Sequence, residues 1–258
     1  MSKVFISHKW EEKNFAKSLQ SYLESCLLST WLDEKDLHSG NLTNEVLNAI
    51  DTSECLVAMI SERYLDSKIC LLEFERAFQK KISGNYRIVI TTLGDRRMLI
   101  EKAKNKRLNQ IAHLLENDIC IPFNQYDLTV SNAAITKAIV AHYPIYFTPI
   151  KRQSVAGQDL QIIEINALNV PTDVFKNLNL EIEDFISLSD DDAKPIKRGI
   201  PVALFGRTAA WIYAHIAMSF YNKRDVFIYN NTTDDFICIY SLTANKDKYT
   251  GLVLKSKT

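Results

Sequence analysis

Glycine and proline are scarce, at 7 and 6 of 258 residues, which excludes collagen-like and long low-complexity chains. Neither sign of charge dominates: Lys+Arg and Asp+Glu are both 31, so the formal net charge is zero. A broad electrostatic grip on nucleic acid has no basis, and DNA is not expected as a partner; a local anion pocket stays open. No segment reaches about 18 uninterrupted apolar residues, so no membrane span or membrane partner is expected. The start, Met1 to Ser7, lacks a signal peptide's apolar stretch. Five cysteines (Cys26, Cys55, Cys70, Cys120, Cys238) are scattered without a CxxC pair, so neither a zinc site nor a disulfide framework has support. Cys55, Cys120 and Cys238 sit in apolar runs and read as buried reduced thiols. A reducing cytoplasm fits this usage.

The composition is that of an ordinary soluble globular protein, with 47% hydrophobic and 24% charged residues. The length allows one large domain or two small ones. Lys3 to Ser7 is a β-rich run, and Phe15, Leu19, Tyr22 and Leu23 then share one helix face. Ser29–Leu32 reads as a second strand, and Asp33 to Asn41 as a polar loop. Val46, Leu47 and Ile50 mark a short helix. Cys55–Ile60 is continuously apolar, as a strand covered on both faces must be. A helix over Leu71–Lys81, strands at Arg87–Thr91 and Ile119–Phe123, and helices over Ile100–Glu116 and Asn132–His142 complete the first half. Alternating β and α with short connections implies a parallel sheet with helices on both faces.

Tyr143 to Pro149 interrupts the pattern, its two prolines ending the last helix. Lys151 to Asp159 reads as a linker. Strands follow at Leu160–Ile165, Pro201–Phe205, Val226–Tyr229 and Phe236–Tyr240, with a helix over Ala209–Phe220. The acidic run Ser189–Asp192 reads as a solvated loop. The expected division is 1–148 and 149–258.

Three motifs in residues 1 to about 145 occur in an order that resembles a TIR domain. Phe5-Ile6-Ser7-His8 matches the family's opening strand and turn. Trp31-Leu32-Asp33 through Leu37-His38-Ser39-Gly40 matches the second strand and the long BB loop. Ser61 to Phe74 matches the segment Ser-x-x-Tyr-x-x-Ser-x-Trp-Cys-x-x-Glu-Leu, with Ile69 in place of tryptophan; Ile69 is expected to pack as an apolar residue. The resemblance implies a flavodoxin-like parallel sheet. It also implies that Glu73 is the catalytic carboxylate of an enzyme cleaving NAD+ at the nicotinamide–ribose bond. One carboxylate near the ribose can stabilise the developing oxocarbenium charge, so no metal or further cofactor is required. Phe5, Ser7, His8, Asp33, Lys35, Ser67 and Cys70 are the substrate-binding candidates beside it. Against this stand plainer readings: a turn residue for His8, solvated loop charges for Asp33 and Lys35, and a packed thiol for Cys70. Glu75 is the nearest decoy, on a different helix face.

In the second half, a strand running into Gly206-Arg207-Thr208 and a helix can cradle an anion. The alternative is a glycine for a tight turn and a solvated arginine. The segments Val170-Pro171 to Leu180, Ile200 to Arg207, Trp211 to Ile216 and Val226 to Asn230 look like the ring-nuclease-like branch of CRISPR-associated Rossmann-fold (CARF) sensors. That resemblance implies a smaller Rossmann-like α/β sensor domain that binds a cyclic oligoadenylate across a homodimer. Gly206, Arg207, Thr208, Trp211, Asn230 and Ser241 are the binding candidates, at or just beyond the carboxyl ends of expected strands. Tyr221 falls where the relatives carry a metal-binding histidine, so the domain is expected to sense the messenger without metal-dependent cleavage.

Together these resemblances imply an anti-phage effector. A cyclic oligoadenylate, cyclic tetra-adenylate foremost, binds the C-terminal domain. A homo-oligomer or filament then forms through both domains, and NAD+ is cleaved to nicotinamide and ADP-ribose. A non-catalytic TIR adaptor and a TIR cyclase making a cyclic ADP-ribose signal are the alternatives.

Overall fold

The computed structural model describes residues 3–32, 41–84, 86–141, 143, 145–167, 194–197, 199–208, 210–220, 225–241 and 251–255. The chain divides into two compact units: Ser2–Leu23 with Leu28–His142, and Tyr143–Thr258 with Glu24–Leu27.

The first unit alternates strand and helix: β1 (Lys3–Ser7), α1 (Lys13–Ser25), β2 (Ser29–Leu32), α2 (Asn41–Thr52), β3 (Cys55–Ile60), α3 (Lys68–Ser83), β4 (Arg87–Thr92), α4 (Arg96–Asn105), α5 (Asn109–Asn117), β5 (Cys120–Pro122) and α6 (Leu128–Val140). The five strands form one sheet in the order β2-β1-β3-β4-β5, every pair parallel. This is the expected parallel α/β architecture. Every side chain of β3 is buried, because β3 is an inner strand with both faces covered. Phe5, Leu56, Ala58 and Ile60 pack against α2, α3, α4 and α5 on one face. Val4, Ile6, Val57 and Met59 alternate with them and are equally buried.

Among the boundaries that differ from the sequence pattern, those of α3 to α6 have local reasons. The stretch Ile100–Glu116 is two helices, not one. Arg107 adopts φ 59°, and Leu108 N–H reaches back to Ala103 C=O while Arg107 N–H bonds Lys104 C=O. That is a Schellman closure, with arginine in the place where glycine would have flagged it. α6 begins four residues before Asn132, because Asp127 caps it by accepting from Val130 N–H at 3.1 Å. α3 begins at Lys68, capped by Ser67.

The second unit contains β6 (Ile145–Phe147), β7 (Lys151–Val155), β8 (Gln158–Ala167), β9 (Val202–Arg207), α7 (Ala210–Ser219), β10 (Val226–Asn230), β11 (Asp235–Tyr240) and β12 (Val253–Lys255). It too is α/β, but its sheet is mixed. The order is β12-β11-β10-β9-β8-β6, with β7 also on β8. β8, β9 and β10 are parallel, and β6, β7, β11 and β12 run antiparallel to their neighbours. Lys151–Asp159 is therefore not a linker. It is an edge strand and a tight hairpin, whose turn residues Ala156 and Gly157 both have positive φ (49° and 79°). The four outermost side chains of β7 are exposed, so the strand reads as polar and its charge guards the sheet edge. α7 covers one face, where Ile163, Ile165, Leu204, Ile212 and Ile216 are buried together. Leu160, Ala203, Phe227, Phe236 and Cys238 form the core of the other face. The acidic run 189–192 and Tyr221 lie outside the described residues.

Candidate active site

The strand order of the first sheet fixes where a ligand can bind. From β1 the chain moves outward to β2, then returns to place β3 on the other side of β1. The carboxyl ends of β1 and β3 thus flank a topological switch point, where open α/β sheets leave a crevice. β1 ends at Ser7, and β3 ends at Ile60, directly before Ser61.

Glu73 is delivered to this edge by α3 and is buried, at 4% exposure. Ser7 donates from Oγ to Glu73 Oε2 at 2.5 Å. The Tyr64 hydroxyl lies 2.8 Å from Ser7 Oγ and 3.2 Å from the carbonyl oxygen of Cys70, to which it can donate. Tyr64 is completely buried, and burial raises its phenol well above the ordinary value. A carboxylate among buried hydroxyls, at the sheet edge where open α/β folds bind ligands, is suited to stabilising positive charge on a substrate.

The other candidates take varied places. Ser67 is the N-cap of α3, its Oγ accepting from Cys70 N–H at 3.4 Å. The Cys70 thiol is buried and donates to the His8 carbonyl oxygen at 3.4 Å; burial, with Glu73 adding to it, pushes the thiol up to about 12. Such a thiol is a packing group, not a nucleophile. Phe5 is fully buried and stacks on Trp31, ring centroids 4.7 Å apart. His8 is half-buried. Burial lowers its imidazole to about 4, and Nε2 has no hydrogen-bond partner among the described residues. Glu75 is exposed, on another face from Glu73. Ile69 is 37% exposed, so the residue standing for tryptophan is not a core group. Asp33 and Lys35 lie outside the described residues.

Sequence reasoning missed Glu12. It is buried, accepts from Ser61 Oγ at 2.8 Å through Oε1, and has its carboxyl raised, chiefly by desolvation. Ser61 Oγ in turn accepts from Tyr64 N–H at 3.0 Å. Nothing in the charged run Glu11-Glu12-Lys13 distinguishes the buried glutamate from its solvated neighbour.

In the second unit, Gly206, Arg207 and Asn230 end the parallel strands β9 and β10 and so share one edge. Gly206 has φ +124°, a conformation reserved for glycine. Its carbonyl oxygen accepts from the Tyr213 hydroxyl at 2.5 Å. Thr208 Oγ1 is buried without a partner among the described residues. Asn230 Oδ1 accepts from Thr232 N–H at 3.0 Å, closing a local turn. Ser241 is not brought to this edge. β11 is antiparallel to β10, so its end lies beside the start of β10, where Ser241 Oγ donates to Asp225 Oδ1 at 3.1 Å. The side chains of Arg207 and Trp211 lie outside the described set. A cavity of about 350 Å³ opens on the face away from α7, lined in part by Glu164, Phe205, Tyr229, Asp234 and Phe236. Tyr229 meets Phe205 edge-on at 4.8 Å and Phe236 at 5.1 Å. The sequence signal for it is the pair of aromatic residues just before Gly206 and Asn230, Phe205 and Tyr229, which as residue types mark only strands.

The model of the TIR domain family matches residues 4–125. That segment is a TIR domain. The match contains Ser7, Ser61, Tyr64 and Glu73, so the buried site belongs wholly to the TIR domain. No curated protein matches the chain. Among solved structures, the chain is similar to the TIR domains in a structure described as the activated Roq1 resistosome directly recognizing the pathogen effector XopQ. The similarity has 21% identity and a TM-score of 0.44, and covers 54% of this chain and 99% of that one. No helix among the described residues is long and apolar enough to cross a membrane.

Proposed function

We propose that the TIR domain is an NAD+ nucleosidase with Glu73 as its catalytic carboxylate, and that the second unit is its sensor. The observation that carries the reading is Glu73 buried at the β1–β3 switch point with Oε2 held by Ser7. The C1′–N bond of NAD+ breaks, its electron pair leaving on nicotinamide, while Glu73 stabilises the oxocarbenium character on the ribose. Water supplies the oxygen that bonds to C1′, and its proton is released, giving ADP-ribose. Asp33 and Lys35, of the BB loop, and His8 are the proposed contacts to NAD+.

A cyclic oligoadenylate is the proposed activator, binding at the edge that carries Gly206, Arg207, Thr208, Trp211 and Asn230. The aromatic cavity next to that edge supports a ligand role for this unit, since a size of about 350 Å³ and mixed apolar and polar walls are usual for small-molecule sites. A two-fold homodimer of the second unit suits a ring with its own rotational symmetry. Binding then favours the assembled state in which neighbouring TIR domains complete one another, because a ligand shifts an equilibrium only toward the state it binds better. Such an enzyme depletes NAD+ on a signal, as an anti-phage effector of a CRISPR system would. The test is to incubate the protein with NAD+ and cyclic oligoadenylates of different ring size, measuring nicotinamide and particle mass together. Nicotinamide release that rises with assembly supports the reading. Full activity in a dilute, ligand-free monomer overturns the sensor half of it.

A further inference from the structure

The hydrogen bonds behind Glu73 form a directed chain. A serine hydroxyl carries one proton. Ser7 gives that proton to Glu73 Oε2 at 2.5 Å, so toward Tyr64, at 2.8 Å, it is an acceptor. The chain therefore runs Tyr64 Oη–H to Ser7 Oγ–H to Glu73. All three side chains are at most 4% exposed, so the chain of hydroxyls is buried along its length. The Cys70 carbonyl oxygen, 3.2 Å from Tyr64 Oη, offers the phenol a second acceptor. When Glu73 takes a proton, the chain can reverse: Glu73 to Ser7, Ser7 to Tyr64, Tyr64 to Cys70 C=O. Every hydroxyl then has a partner in both protonation states of the glutamate. The far end is also fixed, because Ser61 Oγ accepts from Tyr64 N–H and donates to the buried Glu12.

We propose that Ser7 and Tyr64 are positioning residues that orient Glu73 and favour its ionised form through a two-hydroxyl relay. Ser7 therefore serves the carboxylate in preference to the substrate, and Tyr64 acts through Ser7. This rests on the reading of Glu73 as the catalytic carboxylate, and the test separates the two.

The variants are Ser7→Ala, Ser7→Thr, Tyr64→Phe, the double variant Ser7→Ala/Tyr64→Phe, and Glu73→Gln, each in the full chain. Two readouts are taken: NAD+ cleavage across pH in the presence of cyclic tetra-adenylate, and titration of the Glu73 carboxyl by carbon NMR without substrate. Losing a donor to a carboxylate favours its neutral form. In Ser7→Ala, kcat is expected to fall about ten- to a hundredfold with KM within about threefold. The acid limb of the rate profile and the Glu73 titration should both move to higher pH, by about one unit or more. Ser7→Thr, which keeps the hydroxyl, should restore both. Tyr64→Phe keeps the ring and its packing, and serves in place of Ser7→Ala if that variant does not fold. It should shift the titration in the same direction by less. The double variant should be no worse than Ser7→Ala alone, because groups acting as a unit are not additive. An unmoved Glu73 titration in both single variants overturns the relay even if no NAD+ cleavage is ever seen. Unchanged kcat and pH profile in Ser7→Ala, with Glu73→Gln inactive, overturns it and leaves the catalytic reading standing. Activity retained in Glu73→Gln overturns the catalytic reading instead.

Discussion

Replacing Gly206 by alanine tests the close approach of β8 and β9. Gly206 sits opposite Ile165 in the parallel register, with φ +124°. A Cβ at that position would lie 2.1 Å from the Ile165 carbonyl oxygen and 3.0 Å from that residue's C and N atoms. Carbon-to-oxygen contacts do not normally fall below about 3.3 Å, so β8 and β9 would have to separate by about 1 Å. The obstacle is backbone, which cannot rotate out of the way as a side chain can. The φ alone strains an L-residue by about 1–3 kcal/mol. Each ladder hydrogen bond lost in the separation adds about 1 kcal/mol. Gly206→Ala should therefore destabilise the second unit by roughly 3–5 kcal/mol. Urea unfolding followed by circular dichroism reads this directly, with the transition of the TIR domain as the internal control. A loss below about 1 kcal/mol would refute the reasoning, since strain of this size cannot be relieved locally for so little.

The imidazole of His8, held at about 4 by burial, sets an acid limit to stability. Its unfolded value is higher, near 6.5, so between these values the unfolded chain binds more protons, and stability falls as pH drops. From about pH 7.5 to pH 5 the loss should be about 2 kcal/mol, and denaturant titrations of wild type and His8→Gln should differ in slope accordingly. An identical pH dependence in both proteins would contradict it. Lys80 donates from Nζ to the carbonyl oxygens of Ile50, Asp51 and Ser53 at 2.8, 2.7 and 3.1 Å, and lies 4.3 Å from the Tyr86 ring centroid. It thus satisfies the end of α2, and Lys80→Met, which keeps the apolar stem, should cost about 1–3 kcal/mol in urea unfolding. A neutral effect would show that water serves those carbonyls equally well.

The parallel sheet was readable because its signals are local. Cys55–Ile60 is apolar without a break, and the runs before and after it have helical spacing. Glu73 stands out in the sequence as a candidate because Tyr64, Ser67 and Cys70 lie at motif spacing before it, and its burial beside Ser7 is what the sequence does not show. What the sequence hid was settled by partners distant along it. Ser7 meets Glu73 across 66 positions, and Ser61 meets Glu12 across 49, so no window of sequence shows that these pairs are bonded. Gln161 is a further case. It is fully buried within β8 and bonds Lys197 N–H and the carbonyl oxygens of Lys197 and Ile200, where period-two reasoning sees only a polar interruption. Ser241 was placed at a strand's carboxyl end correctly, but strand direction decides which edge that is, and direction is a property of the sheet. Arg107 shows the same limit on a smaller scale: any residue can enter the left-handed region when the closing hydrogen bonds outweigh the strain.

The proposed cleavage of NAD+ by Glu73 can be measured head-on. Its direct test is nicotinamide release by wild type and by Glu73→Gln, both with cyclic tetra-adenylate at saturation, with circular dichroism confirming the fold of each. The substitution keeps the side chain's size and its contact with Ser7 while removing the charge. Loss of one preorganised electrostatic group of this kind typically costs about 10²–10³ in rate. Steady release by wild type and a fall of that size or larger in Glu73→Gln are expected. Near-normal release by Glu73→Gln would contradict the catalytic role of Glu73.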